Sequence, residues 1–172
     1  MYLLMPDRFA NGNPGNDSVA GEPEKANRTD MSGRHGGDIQ GIRNHLDYIK
    51  ELGATTIWST PLLENNYPKY SYHGYAISDL YKVDPRFGSN EEYADMVSEA
   101  HQKGLKVVID MVSNHGGVNA WWMADLPFKN WIHHWPEMTW TNHKANTIKD
   151  IHAAEIDKKR IVTGKQIGRA HV

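Results

Sequence analysis

The chain has 172 residues, 39% of them hydrophobic and 23% charged, with no cysteine and a formal charge of −2. That length fits one domain with a sizeable core, since domains usually run to about 100–150 residues, and disulfide staples are neither needed nor possible. No apolar run reaches the roughly 20 residues of a membrane span, the opening MYLLMPDRF lacks the basic and long apolar regions of a signal peptide, and the charge balance lacks the basic excess of a dedicated nucleic-acid binder.

Tyr2 to Met5 is a short apolar run ended by Pro6, predicted as a buried strand. After a long polar stretch, Ile39, Ile42, Leu46, Ile49 and Leu52 recur at spacings of three and four, which predicts one helix face. Asp38 is placed to cap its start and Gly53 to end it in the left-handed conformation. Thr55 to Trp58 is β-branched and aromatic, a second strand closed off by Pro61. Ser89 and Glu92 have the spacing of a capping box, and Tyr93, Met96, Val97 and Ala100 line a second helix that Gly104 ends. Leu105 to Asp110 is the third strand.

Strand, helix, strand, helix, strand at these lengths predicts an α/β fold with a parallel sheet. The strands are continuously apolar, as strands covered on both faces are. A doubly wound sheet and a (β/α) barrel both begin this way. No strand is followed by the Gly-rich turn of a dinucleotide-binding fold, which favours the barrel.

Past His115 the pattern lapses. Residues 116–164 hold five of the six tryptophans and little periodicity, an irregular excursion in which Asn119 to Leu126 predicts a short helix stopped by Pro127. The predicted organisation is therefore three βα units over 1–115, a Trp-rich excursion over 116–164 and a tail over 165–172.

In parallel α/β folds chemistry sits at the carboxyl ends of strands. Three places qualify: Asp7-Arg8, Ser59-Thr60, and Asp110 to His115, the last holding Asp110, Asn114 and His115 in one passage. Turn and cap duties explain the same residues. Asn11, Asn13, Asn16 and Asp17 offer four oxygen-bearing side chains of the kind calcium takes, but without an EF-hand pattern, and Asn, Gly and Pro also simply make turns. Tyr67 to Tyr75 holds four tyrosines and His73, aromatic faces with polar rims that suit hydroxylated ligands or ordinary surface packing. His133, His134, His143 and His152 match no usual zinc spacing and are expected to be loop histidines.

Several motifs together resemble the alpha-amylase superfamily, glycoside hydrolase family thirteen. Asp110-Met-Val-Ser-Asn114-His115 is similar to the family's first signature. Tyr72-His73-Gly74-Tyr75 with Asp79, and Asp84-Pro-Arg86-Phe87-Gly88, resemble the segment between its second and third strands. Asp7 to Asp17 with Gly36-Gly37-Asp38-Ile39-Gln40-Gly41 resembles the opening of neopullulanases and cyclomaltodextrinases, and the Trp-rich stretch with Thr141-Asn142-His143 is similar to the same group.

This resemblance implies the N-terminal part, about three βα units, of a TIM (β/α)8 barrel of about 250 residues. It implies an α-glucan or maltodextrin substrate, with Tyr75 stacking on the sugar before the cleaved bond, His73 and His115 hydrogen-bonding to it, and Asp110 structural beneath it. It also implies a structural calcium held by Asn11, Asn13, Asn16, Asp17, the Gly36 carbonyl and Asp38. Asn13 is often aspartate in the family, so weaker binding is expected.

The implied chemistry is retaining hydrolysis of α-glucosidic bonds, α-1,4 and also α-1,6. One carboxylate attacks the anomeric carbon while a protonated carboxyl about 5–5.5 Å away assists the leaving group. In the family these groups follow the fourth, fifth and seventh strands, so none is expected in this sequence and the chain alone is expected to be inactive. A transglycosylase or branching enzyme, or a non-catalytic sugar-binding relative, would share the same motifs. Relatives usually carry a β-domain before the first strand. Ile167-Gly-Arg-Ala-His-Val172 resembles one reading frame of a sequencing-library adapter, so residues 165–172 are expected to be non-native. The compartment stays open.

Overall fold

The computed structural model describes residues 1–128 and 131. Three parallel strands, β1 (Tyr2–Leu4), β2 (Thr56–Ser59) and β3 (Lys106–Val108), form one sheet in the order β1-β2-β3. Helix α1 (Pro6–Phe9) follows β1 directly, α2 (Ile39–Asn44) and α3 (Leu46–Glu51) lead into β2, and α4 (Asn90–Gln102) leads into β3.

The register sets Tyr2, Ile57 and Val107 in one row and Leu3, Trp58 and Val108 in the next. Side chains alternate along a strand, so the two rows lie on opposite faces. The first packs on the helices, with Ile57 only 1% exposed and Tyr2 and Val107 against the same core. The second is open, with Leu3 63%, Trp58 37% and Val108 40% exposed. Among the described residues one face of the sheet is thus covered by the helices and the other presents an apolar row.

The predicted single helix over 38–53 is two. Gly41 and Asn44 are weak helix formers, and the His45 side chain competes with the ladder. Its Nδ1 lies 2.8 Å from the Gly41 carbonyl, while its backbone N–H donates to Ile42. That exchange of partners breaks the run at His45, which has φ −119° and ψ 16°. The apolar face survives the break, because Ile39, Ile42, Leu46 and Ile49 are all fully buried. Each such side chain contributes about 1.5–3 kcal/mol relative to exposure. Leu52 falls where the chain turns toward Gly53 (φ +78°) and is exposed, contrary to the predicted face.

Helix α4 starts with the predicted reciprocal box, in which the Glu92 N–H donates to Ser89 Oγ and the Ser89 N–H donates to Glu92 Oε2. Met96 and Ala100 are buried against α2, and Arg43 of α2 pairs with Glu99 of α4 across that contact. In the excursion, Trp121–Ala124 form a 3-10 turn rather than an α-helix, and Ala120, Met123 and Leu126 make a small separate apolar cluster. Residues 129, 130 and 132–172 lie outside the described residues. With them go the tail over 165–172, His133, His134, His143 and His152, and Trp135 and Trp140.

Candidate functional site

The loops that leave the carboxyl ends of β2 and β3 meet. The chain after β3 delivers Asp110 and His115, and the long loop after β2 delivers His73 and Tyr75. The Tyr75 hydroxyl donates to Asp110 Oδ2 at 2.9 Å, and His115 Nε2 lies 2.7 Å from the Tyr75 carbonyl oxygen. The Tyr75 N–H donates to His73 Nδ1 at 2.9 Å, and the two rings stack 5.8 Å apart. These bonds fix the tautomers. His115 carries its proton on Nε2, consistent with Asn114 Nδ2 lying 3.3 Å from its Nδ1, and His73 likewise keeps its proton on Nε2.

Burial lowers the His73 pKa, only partly opposed by the Glu24 carboxylate, so the ring is an uncharged donor at neutral pH. Burial, the bond to Asp110 and the Asp110 charge all raise the Tyr75 pKa and keep the phenol protonated. Tyr75 remains 40% exposed. The arrangement is an aromatic ring held by its hydroxyl and both ends of its backbone unit, flanked by imidazoles, which suits stacking on a hydroxylated ring.

The segment after α1 folds over the start of α2. Asp38 caps α2, accepting from the Gly41 N–H at 2.6 Å, and also holds the Asn13 N–H at 2.7 Å and the Gly12 N–H at 3.1 Å. Asn13 Oδ1 accepts from the Gly15 N–H within the 3-10 turn Pro14–Asn16. Asn11 Nδ2 donates to Asp17 Oδ1 at 2.6 Å. Gly36 has φ +84°, and a Cβ there would collide with the Asp17 carboxylate.

The six residues of the expected metal set are thus brought together in two groups. Asn11, Asp17 and Gly36 form one, and Asn13 and Asp38 the other, with Asn16 at the end of the turn that joins them. Asn11 Oδ1 and Asn16 Oδ1 are buried with no hydrogen-bond partner. Buried acceptors left unpaired are costly, and a set of amide, carbonyl and carboxylate oxygens fits a hard cation such as calcium rather than zinc.

The same loops carry a buried ionic cluster, of which Asp7-Arg8 was a sequence candidate for chemistry and Arg34 was not. Asp84 is fully buried and receives Arg86 Nε at 2.9 Å, Arg86 Nη2 at 2.7 Å and the Asn65 N–H at 3.1 Å, with Arg34 Nη1 at 3.7 Å. Arg34 and Arg86 are each 1% exposed, and Arg34 lies 4.4 Å over the Phe87 ring. Asp7, equally buried, holds the His35 and Gly36 N–H groups and pairs with Arg8, whose guanidinium sits 4.2 Å over Tyr72. Asp84 and Arg86 were visible only as letters of a family segment. Arg34 sits among polar loop residues and gave no signal.

The profile of the family described as Alpha amylase, catalytic domain, matches residues 3–159. The chain is 39% identical over 150 residues to the Beta/alpha-amylase of Paenibacillus polymyxa, covering 85% of this chain and 12% of that protein. To the Maltogenic alpha-amylase of Bacillus acidopullulyticus it is 38% identical over 117 residues, covering 68% and 19%. Among solved structures, an Anoxybacillus alpha-amylase superposes with a TM-score of 0.70 at 44% identity, over 81% of this chain and 29% of that one. The chain therefore spans under a fifth of the length of these two curated relatives.

Proposed function

Because the chain belongs to the alpha-amylase catalytic-domain family of α-glucan glycoside hydrolases, its parallel βα units being the opening of a TIM barrel, we propose that it supplies the sugar-facing loops of a retaining α-glucan hydrolase. The observation that carries this is the exposed Tyr75 ring, braced by Asp110 and flanked by His73 and His115 at the strand ends. In this reading Tyr75 stacks on a glucose face, the Nε2–H of His73 donates to a sugar hydroxyl, His115 contributes beside it, and Asp110 sets the tilt of the ring. In this reading the described residues bind and orient the glucan.

In the full-length protein, Tyr75→Ala is expected to weaken maltoheptaose binding by about two- to tenfold, since aromatic contacts are worth about 0.5–1.5 kcal/mol. Titration of tryptophan fluorescence measures it, and wild-type affinity in the variant would overturn the reading. The isolated 172-residue chain is expected to release no reducing sugar from starch, and turnover by it would place catalytic groups within these residues.

The same reading includes one structural calcium. Asn11, Asn16, Asp17 and the Gly36 carbonyl would hold it directly, with Asn13 and Asp38 shaping the loop, and its charge would tie the β1 loop to the start of α2. The support is the pair of buried, unpartnered amide oxygens in an oxygen-only set. Adding excess EDTA to the full-length protein is expected to lower its thermal midpoint, because ligand at about 100 Kd contributes about 2.7 kcal/mol to the native state. An unchanged midpoint would remove calcium from the reading.

A further inference from the structure

Glu24 belongs to the loop after β1, outside every motif of the glucan site, yet its carboxylate reaches the turn that presents His73 and Tyr75. Oε1 accepts the Tyr70 N–H at 3.1 Å and Oε2 accepts the Ser71 N–H at 2.6 Å. Tyr70 is the only non-glycine residue with positive φ among those described, at +62°. That conformation is uncommon for a side chain of this size and needs surrounding contacts to hold it.

Ser71, fully buried, is gripped at all three of its polar groups. Glu24 takes its N–H, Arg34 Nη1 donates to its Oγ at 3.2 Å, and Asn65 Nδ2 donates to its carbonyl at 3.1 Å. The turn Ser71–His73 follows at once, closed by Gly74 with φ +81°. Glu24 is itself fixed, because Arg86 Nη1 donates to its backbone carbonyl at 2.9 Å while Asp84 holds the same guanidinium.

From this continuous path we propose that Glu24 is a positioning residue, clamping the Tyr70 and Ser71 amides so that His73 and Tyr75 face the glucan. The proposal rests on the glucan reading of Tyr75, and its test separates the two. An ordinary loop anchor would stabilise the fold without tuning affinity. A positioning residue tunes affinity at little cost in stability, because the turn stays attached through Arg34 and Asn65 when the carboxylate is removed.

The experiment measures amide hydrogen exchange and maltoheptaose affinity in the full-length protein, wild type against Glu24→Ala and Glu24→Gln. In Glu24→Ala the Tyr70 and Ser71 amides are expected to exchange at least about tenfold faster, and maltoheptaose to bind about tenfold more weakly. The thermal midpoint is expected to move by under about 5 °C. Glu24→Gln keeps one acceptor oxygen and is expected to recover part of both effects; it carries the test should the alanine variant not fold. Unchanged exchange, or faster exchange with wild-type affinity, overturns the proposal. If wild type itself does not bind maltoheptaose, the glucan reading falls and Glu24 is judged by exchange at the Tyr75 amide, which His73 holds. Loss of protection there supports positioning, and retained protection overturns it.

Discussion

Replacing Asp84 with alanine is expected to cost the full-length protein about 3–5 kcal/mol, the range for removing one partner of a buried ion pair. The size follows from what is left behind. Arg86 would lose its two guanidinium bonds to Asp84, keeping Glu22 at 3.2 Å as its remaining counter-charge, and Arg34 would be left with Asp7 at 3.8 Å; both are 1% exposed, so neither can recover solvation without opening the loop. Asn65 would also lose the acceptor of its N–H. Urea denaturation measures the loss, and a variant within 1 kcal/mol of wild type by the usual point-mutant yardstick would show that water replaces the carboxylate.

The same pair predicts a pH dependence with a definite sign. Burial alone would raise the Asp84 pKa, but the bond from Arg86 and the charges of Arg34 and Arg86 more than offset it, so the folded value lies below the ordinary one. A depressed folded pKa contributes stability that is full above the unfolded value, about 3.9, and is lost as pH falls through the folded value. Asp84→Asn, nearly isosteric and uncharged, is therefore expected to flatten the stability profile below about pH 4, its deficit relative to wild type shrinking as the acid is added.

The helices and strands were legible because local rules agreed with tertiary packing. Ser89 and Glu92 announce α4, Asp38 announces α2, and the i, i+3, i+4 spacing from Ile39 to Ile49 survives a break at His45. The break was not legible, since it depends on an imidazole taking the Gly41 carbonyl from the ladder. The continuously apolar strands were legible too, and the pleat alone decides that Leu3, Trp58 and Val108 fall on the face away from the helices, where all three lie exposed among the described residues. For the site, the motif residues His73, Tyr75, Asp110 and His115 were legible and do converge. Glu24, Arg34 and Ser71 were not, because an acidic, a basic and a hydroxyl residue spread over 24–71 acquire meaning only when the loops meet.

Asp38→Ala is expected to be the second severe substitution, at about 3 kcal/mol or more. Loss of the cap on α2 costs about 0.5–2 kcal/mol, and the Gly12 and Asn13 amides lose their acceptor at about 1–3 kcal/mol each where they stay shielded from water. Alanine cannot be relieved by collapse, because Gly12 already lies so close to Gly41 that even a Cβ would collide with its backbone nitrogen. This loss does not depend on any cation, which separates two roles that a single alanine variant would confuse. Asp38→Ala should lower the thermal midpoint both with and without EDTA, and should also erase the difference between the two conditions by disordering the loop that carries Asn11, Asn13 and Asn16. Asn16→Ala should erase only the difference, leaving the EDTA-treated protein as stable as wild type under EDTA. If Asp38→Ala matches wild type in EDTA, the three amides do not depend on the carboxylate; if Asn16→Ala keeps the full EDTA effect, its buried oxygen is not a ligand.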